Sequence, residues 1–442
     1  MDQKKTWSSS LLFIMACVGS AVGLGNLWKF PYIAYENGGG AFVLVYLLCI
    51  VVMGLPILLA ELIIGREARS NAFEAVSKLS GGKHFWKLLS FLCLFSPFIL
   101  LSFYSVIAGW SLDYFYNAIT GNLTHLTFET TGPHFGAFVS NPTKQISYHT
   151  IIMLLTAGVI MKGVKGIEKA IEVLMPFFGI IILTLSVITL SKYGAGKTLN
   201  FLFEFDFSKL TTKGILEALG HAFFTLSIGL GAMIIYGAYF PKEHSIIRAG
   251  IWITVLDTLV AFCACIMIYP IIFGTGMEVK ESASILFTTL SVELHHLPGG
   301  QYVCALFYLL VAFAALSSTL SLLELVTSYV EDRFKLSRLK GTMLSTFIIW
   351  LFGICSALSN GGNEFFTSLK VMDRLDYILS NWSLPIGAFL ISLFCGWVLS
   401  EEIKSRELGL KRDDPRYIIF NFLIRYAAPA LMMVIFVSQL VN

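Results

Sequence analysis

Charge is scarce in this chain. Asp, Glu, Lys and Arg make up 13% of the 442 residues, while hydrophobic residues make up 56%. That balance excludes an ordinary soluble globule and points to a polytopic membrane protein. The lipid bilayer is therefore its surroundings, and no nucleic-acid partner is expected. No Cys-x-x-Cys pair occurs, and all eight cysteines fall in apolar segments. They read as small buried hydrophobes, with no disulfide framework and no metal centre built on thiols. HExxH and GxSxG motifs are absent, which argues against an intramembrane enzyme. No linker or low-complexity tract divides the chain, so residues 1–442 read as a single domain. No small-residue cleavage site follows the polar residues 1–5, so the N-terminus is expected to be retained.

What the chain does have is long apolar runs. They recur near 7–33, 38–65, 86–118, 145–162, 166–191, 215–240, 246–273, 299–330, 340–358, 366–399 and 416–441. The expectation is an all-α membrane protein of eleven transmembrane helices. Lys and Arg choose the side of each loop. They split 21 to 8 in favour of a cytoplasmic N-terminus and an external C-terminus, with Lys29 and Arg425 left within spans. The connection 192–214, with four lysines on the outside, fits this least well.

Two spans are interrupted at mid-membrane. The first carries Gly19-Ser-Ala-Val-Gly-Leu-Gly-Asn26, where three glycines and an asparagine replace the usual bulky apolar residues. The sixth carries Phe223-Phe-Thr-Leu-Ser-Ile-Gly-Leu-Gly231. Glycine weakens a helix, and freed backbone in hydrocarbon is costly unless something satisfies it. Either segment alone is equally well explained by close helix packing. Breaks at matching places in helices 1–5 and 6–10 instead mark two inverted halves, here 7–191 and 215–399, with 416–441 as an added helix. Such paired breaks point to a transporter's binding site.

Polar residues cluster at these breaks. Asn26 follows the first, and Thr225 and Ser227 flank the second. Asp257 stands in an uncharged run from Ala249 to Met277, and Ser317, Ser318 and Thr319 lie within span 8. Hydroxyls, an amide oxygen, a carboxylate and freed carbonyls are the oxygen donors that hard Na⁺ prefers. An intramembrane acid is a functional-site hypothesis by default, against the plainer reading of a carboxylate satisfied by hydrogen bonds alone. Lys29 with Asp376, and Lys4 with Asp332, are spaced to act as outer and inner gates; ordinary interfacial charge is the alternative. Glu61 and Glu324 also lie within spans, with no partner evident from the sequence.

Gly19-Ser-Ala-Val-Gly-Leu-Gly-Asn-Leu-Trp-Lys-Phe-Pro31, followed by Glu36-Asn-Gly-Gly-Gly-Ala-Phe42, closely resembles the signature of the neurotransmitter:sodium symporter family. The 223–231 segment and Ala314-Ala-Leu-Ser-Ser318 match its helix 6 and helix 8 patterns. An eleven-helix length is similar to a bacterial branch, which implies residence in the bacterial inner membrane. The resemblance implies a fold of two inverted five-helix repeats and Na⁺-coupled uptake of an amino acid or amine.

It further implies two sodium sites. The first would use carbonyls of Ala21 and Thr225, side chains of Asn26, Thr225 and Asp257, and the substrate carboxylate. The second would use carbonyls of Gly19, Val22 and Ala314 with hydroxyls of Ser317 and Ser318. The substrate carboxylate would meet the Leu24 and Gly25 amides and the Tyr104 hydroxyl. The amine would meet carbonyls of Ala21, Phe224 and Thr225 and the Ser227 hydroxyl. Half-helix dipoles agree with this division. The side-chain pocket would be lined by Leu100, Tyr104, Phe224, Leu230, Ser318 and Leu322, which suits an apolar or aromatic side chain.

Monoamine members carry Asp where Gly23 stands, so the substrate is expected to bring its own carboxylate. Many animal members have Asn in place of Asp257 and bind chloride near the equivalents of Tyr46, His221, Thr225, Asp257 and Ala261. The carboxylate here implies chloride independence. Gly166 and Pro176 match a Gly-x9-Pro pattern in helix 5, implying local unwinding towards the second sodium site. A proton-coupled amino-acid transporter, with Asp257 carrying the proton, and a non-transporting amino-acid sensor remain alternatives. The identity of the amino acid, the Na⁺ stoichiometry, proton return and oligomeric state are left open.

Overall fold

The computed structural model describes residues 6–276 and 283–441, and among these the chain is all helical, with no strand. The helices that matter here are α1 (Ser10–Ala21), α2 (Gly25–Glu36), α3 (Gly40–Ala68), α4 (His84–Ile119), α5 (Pro142–Ile160) and α6 (Val164–Tyr193). They continue with α7 (Thr212–Thr225), α8 (Ala232–Ala238), α9 (Ile246–Thr275) and α10 (Gly300–Phe334). The last three are α11 (Arg338–Leu358), α12 (Glu364–Val398) and α13 (Pro415–Ser438). Eight of these are long and apolar enough to cross a bilayer, and the bent pair α1–α2 makes a ninth. α5 falls where the fourth apolar run was read, and α7 with α8 where the sixth was.

Both expected interruptions are present. α1 is capped by Ser9, whose hydroxyl accepts the Leu12 N–H at 3.1 Å, and stops where Val22 turns extended. The chain restarts at Gly25 with a 61° bend. α7 ends at Thr225, and the six residues before α8 include Ser227 at φ +52° and Gly229 at φ +88°. The left-handed backbone at Gly229 admits little but glycine. A Cβ there would also stand 2.5 Å from the Leu384 carbonyl oxygen of α12.

Apolar surface is sorted by lipid rather than by water. On α6, Val173, Phe177, Ile180, Leu183 and Val187 are exposed along one stripe, while Ile171, Met175, Phe178, Ile182 and Leu185 face the protein. A row of large exposed hydrophobes at helical spacing is stable against hydrocarbon, not solvent. Pro97, Pro176 and Pro270 sit inside α4, α6 and α9. α6 runs unbroken through Pro176, so the unwinding implied by the Gly166–Pro176 pattern is absent from this conformation.

Candidate functional site

The two breaks meet across a central cavity of ≈ 570 Å³. At its edge three polar side chains from three helices converge, of which Asn26 itself lines the cavity. Asn26 Nδ2 donates to Thr225 Oγ1 at 3.0 Å and to Asp257 Oδ1 at 2.9 Å. Thr225 Oγ1 donates to the other Asp257 oxygen at 2.7 Å. All three are at most 1% exposed. Buried polar groups persist only when hydrogen-bonded, and here each satisfies the others. Asn26 Oδ1 accepts the Gly23 N–H at 3.2 Å across the first break. A cation entering here would take that amide oxygen, the threonine hydroxyl and the carboxylate together.

A second cluster joins α1 to α10. Ser318 Oγ lies 3.2 Å from the carbonyl oxygens of both Val22 and Ala314, and Ser317 Oγ donates to Ala314 at 3.0 Å. A Cβ on Gly19 would lie 3.2 Å from the Ser317 Cβ, so that backbone also abuts α10. The five residues expected as the second oxygen cluster are thus neighbours.

The residues expected to face substrate line the cavity, with one exception. Thr225 is buried with Asp257 and does not line the cavity, whereas its neighbour Phe224 does. The Leu24 N–H points to the Tyr104 hydroxyl at 3.4 Å, next to the expected carboxylate position. A Cβ on Gly23 would stand 3.1 Å from that same hydroxyl, so Tyr104 fills the space where an acidic side chain would need to be. Ser227, expected to meet the amine, instead donates to the Ser20 carbonyl at 2.9 Å. Sequence reading missed Ser20 and Ser321 among the lining residues. Ser20 sits inside the glycine-rich motif, which was the one signal available.

The expected gates differ in state. At one end Lys29 and Asp376 both line the cavity, but no ion pair joins them. Lys29 Nζ lies 5.0 Å over the Phe224 ring, and Asp376 accepts from Ser380 at 3.0 Å. At the other end the expected Lys4 lies outside the described residues, and Asp332 accepts from Asn71 Nδ2 at 2.7 Å. Further contacts tie the helices together at that end. Trp7 is buried, donating through Nε1 to the Tyr236 carbonyl and through its backbone to Tyr239, both at 3.1 Å. Ser8 N–H donates to Glu168 at 2.6 Å. Glu324 is paired by Arg338 and accepts from the Tyr239 hydroxyl at 2.9 Å, while Arg338 also reaches Glu331 at 2.8 Å.

Glu61, the other acid left without a partner, accepts backbone N–H groups of the second break. In the region compared with the animal chloride site, His221 stacks on Phe30 with ring centroids 5.5 Å apart. The Tyr46 hydroxyl and both His221 nitrogens are buried without a hydrogen-bond partner among the described residues.

An all-helical membrane protein whose two broken helices meet at a central polar cavity is the class these features define. The chain matches the sodium:neurotransmitter symporter family over residues 4–133 and 137–442, and it belongs to that family. It is 34% identical to YhdH, a sodium-dependent transporter of Bacillus subtilis strain 168, over 98% of this chain and 97% of that one. It is 25% identical to the sodium-dependent dopamine transporter of Bos taurus, over 91% of this chain and 65% of that one. Its fold matches the crystal structure of MhsT in complex with L-phenylalanine with a TM-score of 0.89, at 38% identity, covering 99% of this chain and all of the other. The protein is therefore a sodium-dependent membrane transporter of this family.

Proposed function

We propose that the protein is a symporter that couples Na⁺ entry to uptake of a small hydrophobic or aromatic L-amino acid. The observation that carries this reading is the Asn26–Thr225–Asp257 junction, which ties both broken helices and α9 together at the edge of the cavity. An ion there is placed to feel, and be felt by, a substrate bound at the breaks. Two sodium sites are proposed: that junction, with Ala21 and the substrate carboxylate, and the Gly19–Val22–Ala314–Ser317–Ser318 cluster. The cavity's hydrophobic and aromatic lining supports an apolar side chain, and MhsT was crystallised with one such amino acid.

The proposed cycle is alternating access. Na⁺ organises the breaks while the Lys29 end is open. The substrate carboxylate then completes the first ion site, Lys29 and Asp376 approach, and the network around Trp7, Glu324 and Arg338 releases. Shared coordination is what couples the fluxes. The membrane potential contributes ~2.3 kcal/mol per charge per 100 mV. The topology that goes with this reading has eleven spans in two inverted repeats plus a final helix, an N-terminus inside and a C-terminus outside, in a bacterial plasma membrane. Asp257 supplies the fixed negative charge, so transport is proposed to need no chloride.

The test is uptake of radiolabelled L-amino acids into proteoliposomes. Accumulation driven by an inward Na⁺ gradient, at constant pH and with chloride replaced by gluconate, is the expected result. Accumulation driven only by a pH gradient would make Asp257 a proton carrier. Sodium-dependent binding without accumulation would make the protein a sensor.

A further inference from the structure

The cavity carries two serines that the ion sites and gates do not use. Ser20 Oγ donates to Ser321 Oγ at 2.8 Å, and Ser321 Oγ donates to the carbonyl of Ser318 at 2.9 Å. Both residues line the cavity, and both are buried, at 3% and 2% exposure. A serine hydroxyl has one proton to give. The helix carbonyl at the end of this relay can only accept, so both protons point away from Ser20 and into α10. Ser20 Oγ keeps its acceptor capacity, and among the described residues nothing donates to it. A hydroxyl that is itself donating is also a better acceptor. The backbone of Ser20 is pinned from two sides, since its carbonyl lies 2.9 Å from Ser227 Oγ and 3.5 Å from Ser318 Oγ. With the backbone fixed, the bond to Ser321 is what holds the side-chain oxygen in place.

A substrate whose side chain enters this part of the cavity removes water from Ser20. Among apolar walls such as Phe103, Phe224 and Leu322, only a donor on the substrate can replace the lost bond. We propose that Ser20 is a specificity-determining residue, oriented by Ser321, and that it selects an aromatic amino acid whose ring carries a hydrogen-bond donor. That description fits the phenol of tyrosine and the indole of tryptophan, and not phenylalanine or leucine. The inference rests on the amino-acid transport reading above and narrows its substrate class.

The experiment measures KM for sodium-driven uptake of tyrosine, tryptophan, phenylalanine and O-methyltyrosine in proteoliposomes, with the native chain, Ser20→Ala and Ser321→Ala. One hydrogen bond predicts a KM for tyrosine or tryptophan roughly tenfold below that for phenylalanine, collapsing to within about twofold in Ser20→Ala. The ratio of KM values is the readout, because a merely structural defect would move all substrates together. O-methyltyrosine bears only an acceptor, so the native chain should handle it poorly. Ser321→Ala frees the Ser20 proton to point into the cavity, and uptake of O-methyltyrosine should rise. If Ser20→Ala transports nothing, Ser321→Ala decides: a gain for O-methyltyrosine supports the relay, and no gain overturns it. Equal KM for tyrosine and phenylalanine in the native chain, with sodium-driven uptake intact, overturns this inference alone. Absence of sodium-driven uptake of any amino acid overturns both it and the transport reading.

Discussion

Glu61 of α3 accepts the backbone N–H of Gly229 at 2.7 Å, and its other carboxylate oxygen accepts that of Met233 at 3.1 Å. A side chain 168 residues away in the sequence thus satisfies the amides freed where the second broken helix restarts. Water cannot do this at membrane depth, so the break is stable only because α3 brings an acceptor to it. Glu61→Ala should leave both amides orphaned, at about 1–3 kcal/mol each. The expected outcome is a lower thermal midpoint in detergent and loss of uptake. Glu61→Gln keeps one acceptor oxygen and should fall between the two.

Gly65 packs α3 directly onto α8. A Cβ there would stand 1.9 Å from the Ile234 carbonyl oxygen. Gly65→Ala should force the two helices apart and sharply reduce the monodisperse yield after purification. Gly158→Ala on α5, where nothing lies within 4 Å, is the matched control and should leave the yield unchanged.

Among the described residues, Asp257 is the only acid in the Asn26–Thr225 junction. Replacing it with Asn keeps the shape and removes the charge. A hydrogen bond to a charged group is worth about 1.5–3 kcal/mol, so the half-saturating Na⁺ concentration of Asp257→Asn should rise by roughly 10–100-fold. Uptake by the native chain should be unchanged when chloride is replaced by gluconate. A Na⁺ titration of Asp257→Asn that overlays the native curve would remove Asp257 from the proposed ion site.

Arg338 holds Glu324, whose side chain is only 1% exposed, at the end of the molecule closed by Trp7. Removing one partner of such a pair leaves a buried charge and costs about 3–5 kcal/mol. Arg338→Ala should therefore loosen this end. Hydrogen exchange should rise at Tyr236 to Phe240, with segments of α5 away from the network unchanged. Uniform exchange across both regions would show that the pair does not hold that end shut.

The polar junction was legible beforehand, for a physical reason. Polar groups are so costly in hydrocarbon that Asn26, Thr225 and Asp257 stand out against their apolar neighbours, and the tertiary structure brings those three into contact. The partners of Glu61 were not legible, because they are backbone amides and carry no signature in sequence. Arg338 was hidden for the opposite reason. It sits in a Lys- and Arg-rich connection and reads as ordinary loop charge, whereas the first turn of α11 delivers it to Glu324. The Lys29–Asp376 pair was expected from position alone. In this structure both line the cavity without an ion pair, and Lys29 lies over the Phe224 ring.

Composition, the spacing of apolar runs and the two glycine-interrupted segments were enough to determine that this chain is a helical membrane protein broken at its centre. These are properties of residues taken one segment at a time, set by what each segment can bury in lipid. Tertiary structure alone decided which distant acid caps the second break, which partners Glu324 and Lys29 take, and which way the Ser20 proton points. Each of those depends on contacts between helices far apart in the chain, and a hydrogen bond has no direction until both of its partners are in place.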